Sequence, residues 1–128
     1  MTDASNDHLE RMAQALRRLR EAVALQAPSR LEVDGAIQRF EFSYELAWKA
    51  LRNALATEGR EVNSPRQSFR AAYQLDWIED EGPWLEMIND RNLTTHTYNE
   101  KLAQQIHGRI PDHLNAMETL YSRLRDHR

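Results

Sequence analysis

The sequence predicts an all-α protein, for three reasons. Apolar residues recur at spacings of three and four along most of the chain, which is the period of an amphipathic helix. The chain has only four Gly, four Pro and few runs of β-branched residues, a composition that favours helices over sheets. Residue types that cap helix N-termini stand ahead of the apolar stretches. We therefore expect one domain over residues 1–128, folded as an antiparallel helical bundle with a four-helix core and an extra short helix.

The first two predicted helices are amphipathic. Residues 5–7 are good N-cap types for the first, which should end before the next proline. Ser29 and Glu32 form a capping box that opens a long second helix, and Gly59 is a natural C-terminal cap for it. Running from about residue 30 to 58, the second helix would be on the order of 43 Å long. The apolar stripes comprise Leu9, Met12, Leu16, Leu19 and Val23 in the first helix, and Val33, Ile37, Phe40, Tyr44, Ala47, Leu51 and Leu55 in the second.

Two shorter helices are predicted next. Ser64 precedes Pro65, which places an N-cap before a proline at the first helical position of a short third helix. Residues 75–81 should form a loop anchored by Trp77, and Gly82 with the following proline opens a fourth helix.

The last predicted helix is long. Thr97 and Glu100 repeat the capping-box pattern, so this helix should begin at Thr97. Pro111 should kink or interrupt it, because proline has no backbone N–H to donate. Its apolar stripe comprises Leu102, Ile106, Ile110, Leu114, Met117, Leu120 and Leu124.

Composition restricts the function. The chain has no Cys, which excludes disulfides and thiolate chemistry. The formal net charge of -3 argues against broad attraction to phosphate backbones, although a small site for RNA remains open. Arginines at positions 17, 18 and 20, or at 66 and 70, could form a local basic rim; the simpler interpretation is that they lie on solvated helix faces.

The sequence lacks the patterns typical of exported, membrane-spanning, metal-binding and nucleotide-binding proteins. The N-terminal residues are polar and acidic, unlike a signal peptide, and no apolar run approaches the roughly 20 residues of a membrane span. We therefore expect a soluble cytoplasmic protein without membrane contact. The five histidines never fall four residues apart as in a helical metal site, and no Gly-rich phosphate loop occurs, so we expect neither metal nor cofactor.

Residues 91–98 form a dense group of hydrogen-bonding side chains, with an arginine, an asparagine, threonines, a histidine and a tyrosine. On one unbroken helix Arg91 and His96 would point about 140° apart, since each residue turns the helix by about 100°. A break at residues 94–97 would let both side chains face one cleft.

Such a pair suits phosphodiester cleavage in RNA without a metal. Histidine exchanges protons near neutral pH, so His96 can take a proton from a ribose 2′-hydroxyl or give one to the leaving oxygen. Arginine stays charged, so Arg91 can stabilise the negative transition state, and Asn92 can add a neutral donor. On spacing alone the simpler alternative stands, in which the histidine caps a helix and Arg91 pairs with Glu86 or Asp90.

The same residues carry a family resemblance. Arg91 and His96 match the Arg-x4-His motif of HEPN ribonucleases, and Tyr98 completes the Arg-x4-His-x-Tyr form of HEPN toxins paired with a minimal nucleotidyltransferase antitoxin. Residues 34–49 and 84–98 also resemble the family of nucleotidyltransferase substrate-binding proteins. The likeness covers nearly the whole chain and shows no departure at the motif positions.

The resemblance implies a HEPN-like homodimer whose two Arg-His motifs line a shared cleft and cleave RNA. It further implies that the partner transferase silences this toxin by moving AMP from ATP to Tyr98. The chain lacks the transferase's own Gly-Ser signature and paired aspartates, so the partner would handle ATP. The alternative is a noncatalytic substrate-binding subunit of a two-component nucleotidyltransferase, although such a subunit has no chemical need for the Arg-His pair.

Charged residues in the second helix leave two interpretations open. They are Asp34, Arg39, Glu41 and Glu45, of which Arg39 and Glu45 stand in an otherwise aromatic stretch. Arg39 and Glu45 lie near the cleft or bind the partner, or the charged residues simply form the solvated face of an amphipathic helix.

Overall fold

The computed structural model describes residues 4–127, with side chains described from Asp7 onwards. This part of the chain is all-helical, which confirms the predicted fold class, and residues 4–127 contain no strand. The helices are α1 (Ala4–Val23), α2 (Arg30–Thr57), α3 (Pro65–Gln74), α4 (Gly82–Leu93) and α5 (Glu100–His127), with a 3-10 turn at Thr94–His96.

The start of α1 differs from the prediction. Residues 5–7 were expected to cap the helix, but α1 begins at Ala4 and includes them. The side chains of residues 4–6 lie outside the described part of the chain, as do residues 1–3, on which the argument against a signal peptide partly rests.

α2 has the predicted caps at both ends. The Ser29 hydroxyl accepts a hydrogen bond from the Glu32 N–H at 3.1 Å, and the Glu32 carboxylate accepts one from the Ser29 N–H at 2.8 Å. At the other end Gly59 has a φ of 76°, a left-handed conformation that glycine adopts without steric cost. The N–H of Arg60 then donates to the carbonyl of Leu55, which closes the helix.

The short helices α3 and α4 also follow the sequence. The Ser64 hydroxyl accepts from the Gln67 N–H at 3.2 Å and caps α3. The loop before α4 is anchored as predicted, since Trp77 is buried and its backbone N–H donates to the carbonyl of Ala72 at 2.8 Å.

The predicted start of α5 was wrong. Its first turn is capped by Asn99, whose side-chain oxygen accepts from the Leu102 N–H at 3.1 Å, and the helix begins at Glu100. Thr97 instead donates its hydroxyl to the carbonyl of Thr94. Pro111 does not interrupt the helix, which continues to His127.

The three long helices pack against one another, α3 packs on α2, and α4 packs on α5. The Ser43 hydroxyl donates to the Ala15 carbonyl, and Arg39 donates to the Arg18 carbonyl, so the order of contacts is reversed and α1 is antiparallel to α2. By contrast α2 and α5 run in the same direction, because their contacts proceed in the same order along both helices: Arg30 with Glu100, Phe40 with His113, and Glu58 with His127.

The core lies between these helices and contains most residues of the three predicted apolar stripes. Its largest fully buried side chains are Met12, Leu19, Phe40, Leu51, Leu55, Phe69, Met87, Ile106, Ile110, Leu114, Met117 and Leu120. None of the helices in residues 4–127 combines the length and apolar character needed to cross a bilayer.

Candidate functional site

The polar segment of residues 91–98 lies at the junction of α4 and α5, around the 3-10 turn Thr94–His96. Threonine hydroxyls hold the turn in place. The Thr94 hydroxyl donates to the carbonyl of Arg91 at 2.7 Å, and the Thr97 hydroxyl donates to the carbonyl of Thr94 at 3.2 Å. Carbonyls at a helix C-terminus lack partners within the helix, and these hydroxyls supply them. The predicted break between the helices is therefore present.

Arg91 projects from the last turn of α4 towards α2, with 28% of its side chain exposed. Its Nε atom lies 3.8 Å from a carboxylate oxygen of Glu45, and Nη1 donates to the Thr94 hydroxyl at 3.3 Å. The Nε atom is buried and has no hydrogen-bond partner among residues 7–127, because 3.8 Å is too long for a hydrogen bond. The guanidinium is thus oriented by a charge and a hydroxyl. Because Nε is buried, the donor left for an anion is Nη2, which makes no hydrogen bond among residues 7–127.

Glu45 is itself held by a neighbour on α2. Its other carboxylate oxygen accepts a hydrogen bond from the indole Nε1 of Trp48 at 3.1 Å. Of the charged residues in α2 whose location the sequence left open, Glu45 therefore lies at the polar segment. Arg39 points instead towards α1, where it donates to the Arg18 carbonyl at 2.7 Å and lies 3.6 Å from Glu21. Glu41 is half-buried.

His96 and Tyr98 lie together on the exposed side of the junction. Their ring centroids are 6.0 Å apart in an edge-to-face arrangement, and Tyr98 is 81% exposed. Asn92 is exposed as well. Within the described part of the chain, no hydrogen bond joins Arg91 to His96. The structure thus pairs the histidine with the tyrosine and places the arginine deeper, against α2.

Arg30, which was not predicted to be a site residue, connects this junction to the start of α2. Its guanidinium donates to the carbonyl of Thr97 at 3.3 Å and lies 3.5 Å from Glu100. Asp34, 3.4 Å from the Arg30 Nε, completes the contact. The turn that carries His96 is therefore held from two sides, by α4 through threonines and by α2 through Arg30.

Tyr44 lies beneath the junction and is kept neutral. Burial and the adjacent Glu45 carboxylate raise the pKa of the Tyr44 hydroxyl to about 12, and the Arg91 charge only partly opposes them. Its ring packs between Phe40 and Phe69. Tyr44 therefore belongs to the wall behind the arginine and differs from the exposed Tyr98 in accessibility.

A buried ionic cluster next to Arg91 was also not predicted from the sequence. The Asp90 carboxylate accepts two hydrogen bonds from Arg109, at 2.7 and 2.8 Å, and lies 2.6 Å from Nε2 of His113. Burial raises the pKa of the Asp90 carboxyl, but the hydrogen bonds and charges of Arg109 and His113 outweigh it and leave that pKa below its ordinary value. Asp90 is thus not the partner of Arg91. The available signal was the spacing of four between Arg109 and His113, which puts both on one face of α5.

Within residues 4–127 no group of three histidine or carboxylate side chains is placed to hold a metal ion. The candidate site consists of Arg91 with Glu45 and Thr94 on its inner side and of His96, Tyr98 and Asn92 on its outer side. Its chemistry is that of a cation and an imidazole presented to an anionic ligand.

An all-helical protein that presents an Arg-x4-His-x-Tyr segment at a helix junction has the features of the HEPN class. The chain belongs to the family described as nucleotidyltransferase substrate binding protein like, whose sequence profile matches residues 7–126. The resemblance seen in the sequence is thereby confirmed.

Individual relatives agree with this assignment. The chain is 32% identical over 98 residues to the probable ribonuclease HepT of Haemophilus influenzae, covering 73% of this chain and 67% of that protein. A solved structure from Thermus thermophilus superposes with a TM-score of 0.86 at 44% identity, over 89% of this chain and 98% of the other. A second, from Haemophilus influenzae and described as the fold of a substrate binding domain of a nucleotidyltransferase, has a TM-score of 0.70 at 27% identity, over 94% and 96% of the two chains.

Proposed function

We propose that this protein is the toxin of a HEPN and minimal nucleotidyltransferase pair and acts as a metal-independent endoribonuclease. Arg91 and His96 are its catalytic residues, Asn92 supports them, and Tyr98 is the residue that the partner modifies to silence the toxin. The observation that carries the proposal is the placement of Arg91 and His96 at one junction, with the arginine oriented but unsaturated and the histidine exposed.

The proposed reaction is transesterification within the RNA strand. The His96 imidazole accepts the proton of a ribose 2′-hydroxyl, and the 2′-oxygen forms a bond to the adjacent phosphorus. The bond from phosphorus to the 5′-oxygen of the next nucleotide breaks, and that oxygen takes up the proton that His96 accepted, which returns the imidazole to its neutral form. The products are a 2′,3′-cyclic phosphate and a free 5′-hydroxyl, so no water, oxidant or metal is consumed.

Arg91 and Asn92 act on the phosphate in this scheme. Negative charge accumulates on the non-bridging oxygens as the fifth bond to phosphorus forms, and a planar guanidinium can donate to two of them. Glu45 and Thr94 support this role by fixing the direction of the guanidinium. Asn92, the residue after Arg91, is exposed and adds an uncharged donor. As the family resemblance implies, two copies form a homodimer that brings both motifs to one cleft.

AMP transfer to Tyr98 would silence the enzyme by occupying this surface. The Tyr98 hydroxyl loses its proton and its oxygen attacks the α-phosphorus of ATP on the partner transferase, and pyrophosphate leaves. Because Tyr98 is 81% exposed, it is open to such an enzyme. Because its ring lies 6.0 Å from that of His96, the added nucleotide places a negative phosphate beside the catalytic pair, where it competes with RNA. Because RNA and ATP are both found in the cytoplasm, the proposed reactions would take place there.

Expression without the transferase tests the nuclease proposal. Wild type, Arg91→Ala and His96→Ala are expressed from a tightly controlled promoter, and the purified proteins are incubated with total RNA and transfer RNA in EDTA. We expect wild type to arrest growth and cut RNA, and the two variants to do neither. Arg123→Ala and His107→Ala are the matched controls, since they remove the same residue types from α5 outside the motif and should behave as wild type.

Circular dichroism of each variant separates lost chemistry from lost folding. If wild type and all folded variants are equally harmless and inert on RNA, the nuclease proposal is wrong. The noncatalytic substrate-binding subunit is then the better description.

A further inference from the structure

A groove of about 500 Å³ runs between α1 and α2. Its size falls within the roughly 300–1,000 Å³ of ligand-binding clefts. Arg11, Arg18 and Arg39 line it together with two glutamines, and no carboxylate belongs to the lining. Phe42 forms part of one wall and is 58% exposed, an unusual exposure for a phenylalanine in a chain whose other two are fully buried.

The charge in this groove is largely uncompensated. Arg39 lies 3.6 Å from Glu21 and is partly neutralised. Arg11 and Arg18 have no ion-pair partner among residues 7–127, whereas Arg20, from the same arginine-rich stretch of α1, is bonded to Glu118 on α5. The groove is therefore a local positive surface on a protein of net charge -3.

The groove lies beside the candidate active site. Phe42 and Leu46 line its α2 wall, and Glu45, the residue that faces Arg91, stands in the same turn of that helix. Phe42 is three residues from Glu45, a rise of about 4.5 Å along the helix axis. An RNA strand whose scissile phosphate lies at Arg91 would therefore need to cross only α2 to reach the groove.

We propose that this groove binds a single-stranded segment of the RNA substrate, with the arginines on backbone phosphates and Phe42 stacked on a base. The proposal rests on the proposed function and adds to it the surface that holds the strand next to the cleaved bond. Guanidinium groups tracking a backbone together with an exposed aromatic ring are the two components of single-strand binding sites. The two glutamines add donors and acceptors for base edges. A protein partner could also use arginines and an aromatic ring, and the third outcome of the test below distinguishes it from RNA.

Gly35 offers a way to block the groove without touching its charges. It lines the groove within α2, and a Cβ at this position would meet no atom within 4 Å. A leucine here projects into the open space, and the helix itself gains from loss of a glycine. Gly35→Leu is therefore a folded variant with an occupied groove.

The test measures binding of a labelled single-stranded RNA of about 12 nucleotides. All its riboses are 2′-O-methylated, so it cannot be cleaved, and fluorescence anisotropy is followed over a range of salt concentrations. We expect Phe42→Ala to weaken binding roughly 5- to 150-fold, and Phe42→Trp to restore it. Arg11→Gln with Arg18→Gln should lower the slope of log K against log salt by about 1.4, at about 0.7 per phosphate contact. Gly35→Leu should weaken binding, and duplex RNA of the same sequence should bind less tightly than the single strand.

Matched controls remove the same groups elsewhere. Arg17→Gln with Arg123→Gln removes two exposed arginines outside the groove, and Tyr73→Ala removes an exposed ring from α3. These controls should bind RNA as wild type does. Because the probe needs no cleavage, the result does not depend on the nuclease reaction, which is measured in parallel on cleavable RNA.

Three outcomes overturn the groove proposal. The first is binding unchanged in all groove variants; if wild type still cleaves RNA and His96→Ala does not, the proposed function survives this failure. The second is a loss of RNA binding that coincides with a change in molecular mass by light scattering, which would make the groove an interface between copies. The third is loss of transferase binding with RNA binding intact, which would make it a surface for the protein partner.

Discussion

The Oδ2 atom of Asp90 lies 2.6 Å from the Nε2 atom of His113, and both side chains are buried. This contact joins α4 to α5 one residue before Arg91, and Arg109 reinforces it with two further hydrogen bonds. The His113 ring in turn stacks on Phe40 of α2, with centroids 5.2 Å apart. The end of α4 that carries Arg91 is therefore fixed to α5 directly, and to α2 through the His113 ring.

Asp90→Ala should destabilise the protein by about 3 kcal/mol. Removing one member of a buried ionic pair typically costs about 3–5 kcal/mol, because the remaining partner is left without compensation. We expect the low end of this range, since the Arg109 side chain is 43% exposed and can turn to water. Urea denaturation measures the change. Asp112→Ala, an exposed aspartate on α5, should shift the unfolding free energy by less than about 0.5 kcal/mol, and equal shifts for the two variants would contradict the prediction.

The same carboxylate should make the free energy of unfolding decrease at acid pH. Because the pKa of Asp90 is lowered in the folded state, its contribution is complete above the ordinary value of 3.8 and is lost as pH falls through the lower folded value. Asp90→Asn removes this titration, so the difference in unfolding free energy between wild type and variant should shrink between about pH 7 and about pH 3. Denaturation curves at several pH values test this. Asp112→Asn is the control, and a difference for Asp90→Asn that stays constant with pH would refute the assignment.

Arg91→Lys should abolish most RNA cleavage although it conserves the charge. The planar guanidinium of Arg91 contacts Thr94 and faces Glu45. In the proposed mechanism it also donates to two phosphate oxygens, and a lysine ammonium cannot make all these contacts at once. We expect a loss of roughly 100-fold in kcat/KM, comparable with removal of one transition-state donor. Glu45→Gln keeps an acceptor for Trp48 but removes the charge that orients Arg91, so its loss should be smaller. Arg123→Lys is the control, and full activity of Arg91→Lys would contradict the catalytic role.

Helix positions were predictable because local rules decide them. The capping box at Ser29 and the left-handed Gly59 each act within one turn, so α2 began and ended near where the sequence indicated. The relative direction of helices depends on contacts between residues far apart in sequence. For that reason the parallel course of α2 and α5, seen in pairs such as Phe40 with His113, had no sequence signal.

The site was predictable to the extent that its side chains lie close together in sequence. Arg91, His96 and Tyr98 belong to one eight-residue segment, and its position between two helices followed from the expected break. The partners of Arg91 did not follow. Glu45 comes from α2. Asp90 is adjacent to Arg91 in sequence and was a candidate partner, but its carboxylate instead pairs with Arg109 and His113 on α5. Pairing of charges across helices requires the packing to be known first.

The corrected start of α5 leads to a prediction about two neighbouring residues. Asn99→Ala should cost about 1 kcal/mol of stability, since it removes the acceptor for the first turn of α5. Thr97→Ala should cost less, because the Thr97 hydroxyl makes one hydrogen bond of 3.2 Å, to the Thr94 carbonyl, and does not accept from the first turn of α5. Thermal unfolding of both variants measures the difference. A larger loss for Thr97→Ala would restore the capping box that the sequence suggested.

Tyr98→Phe should keep RNA cleavage but escape silencing. With 81% of the residue exposed and only a ring contact to His96, the hydroxyl supports no other group among the described residues. Loss of that oxygen therefore leaves the catalytic pair in place and removes the only atom to which AMP would be attached. The purified protein is incubated with the transferase and ATP, and mass spectrometry and RNA cleavage are measured together. Tyr121→Phe, on α5, is the control and should still gain AMP and lose activity. If Tyr98→Phe gains the mass of AMP as wild type does, the modified residue lies elsewhere; if it gains none yet is still silenced, the transferase inhibits by binding and AMP transfer is not the mechanism.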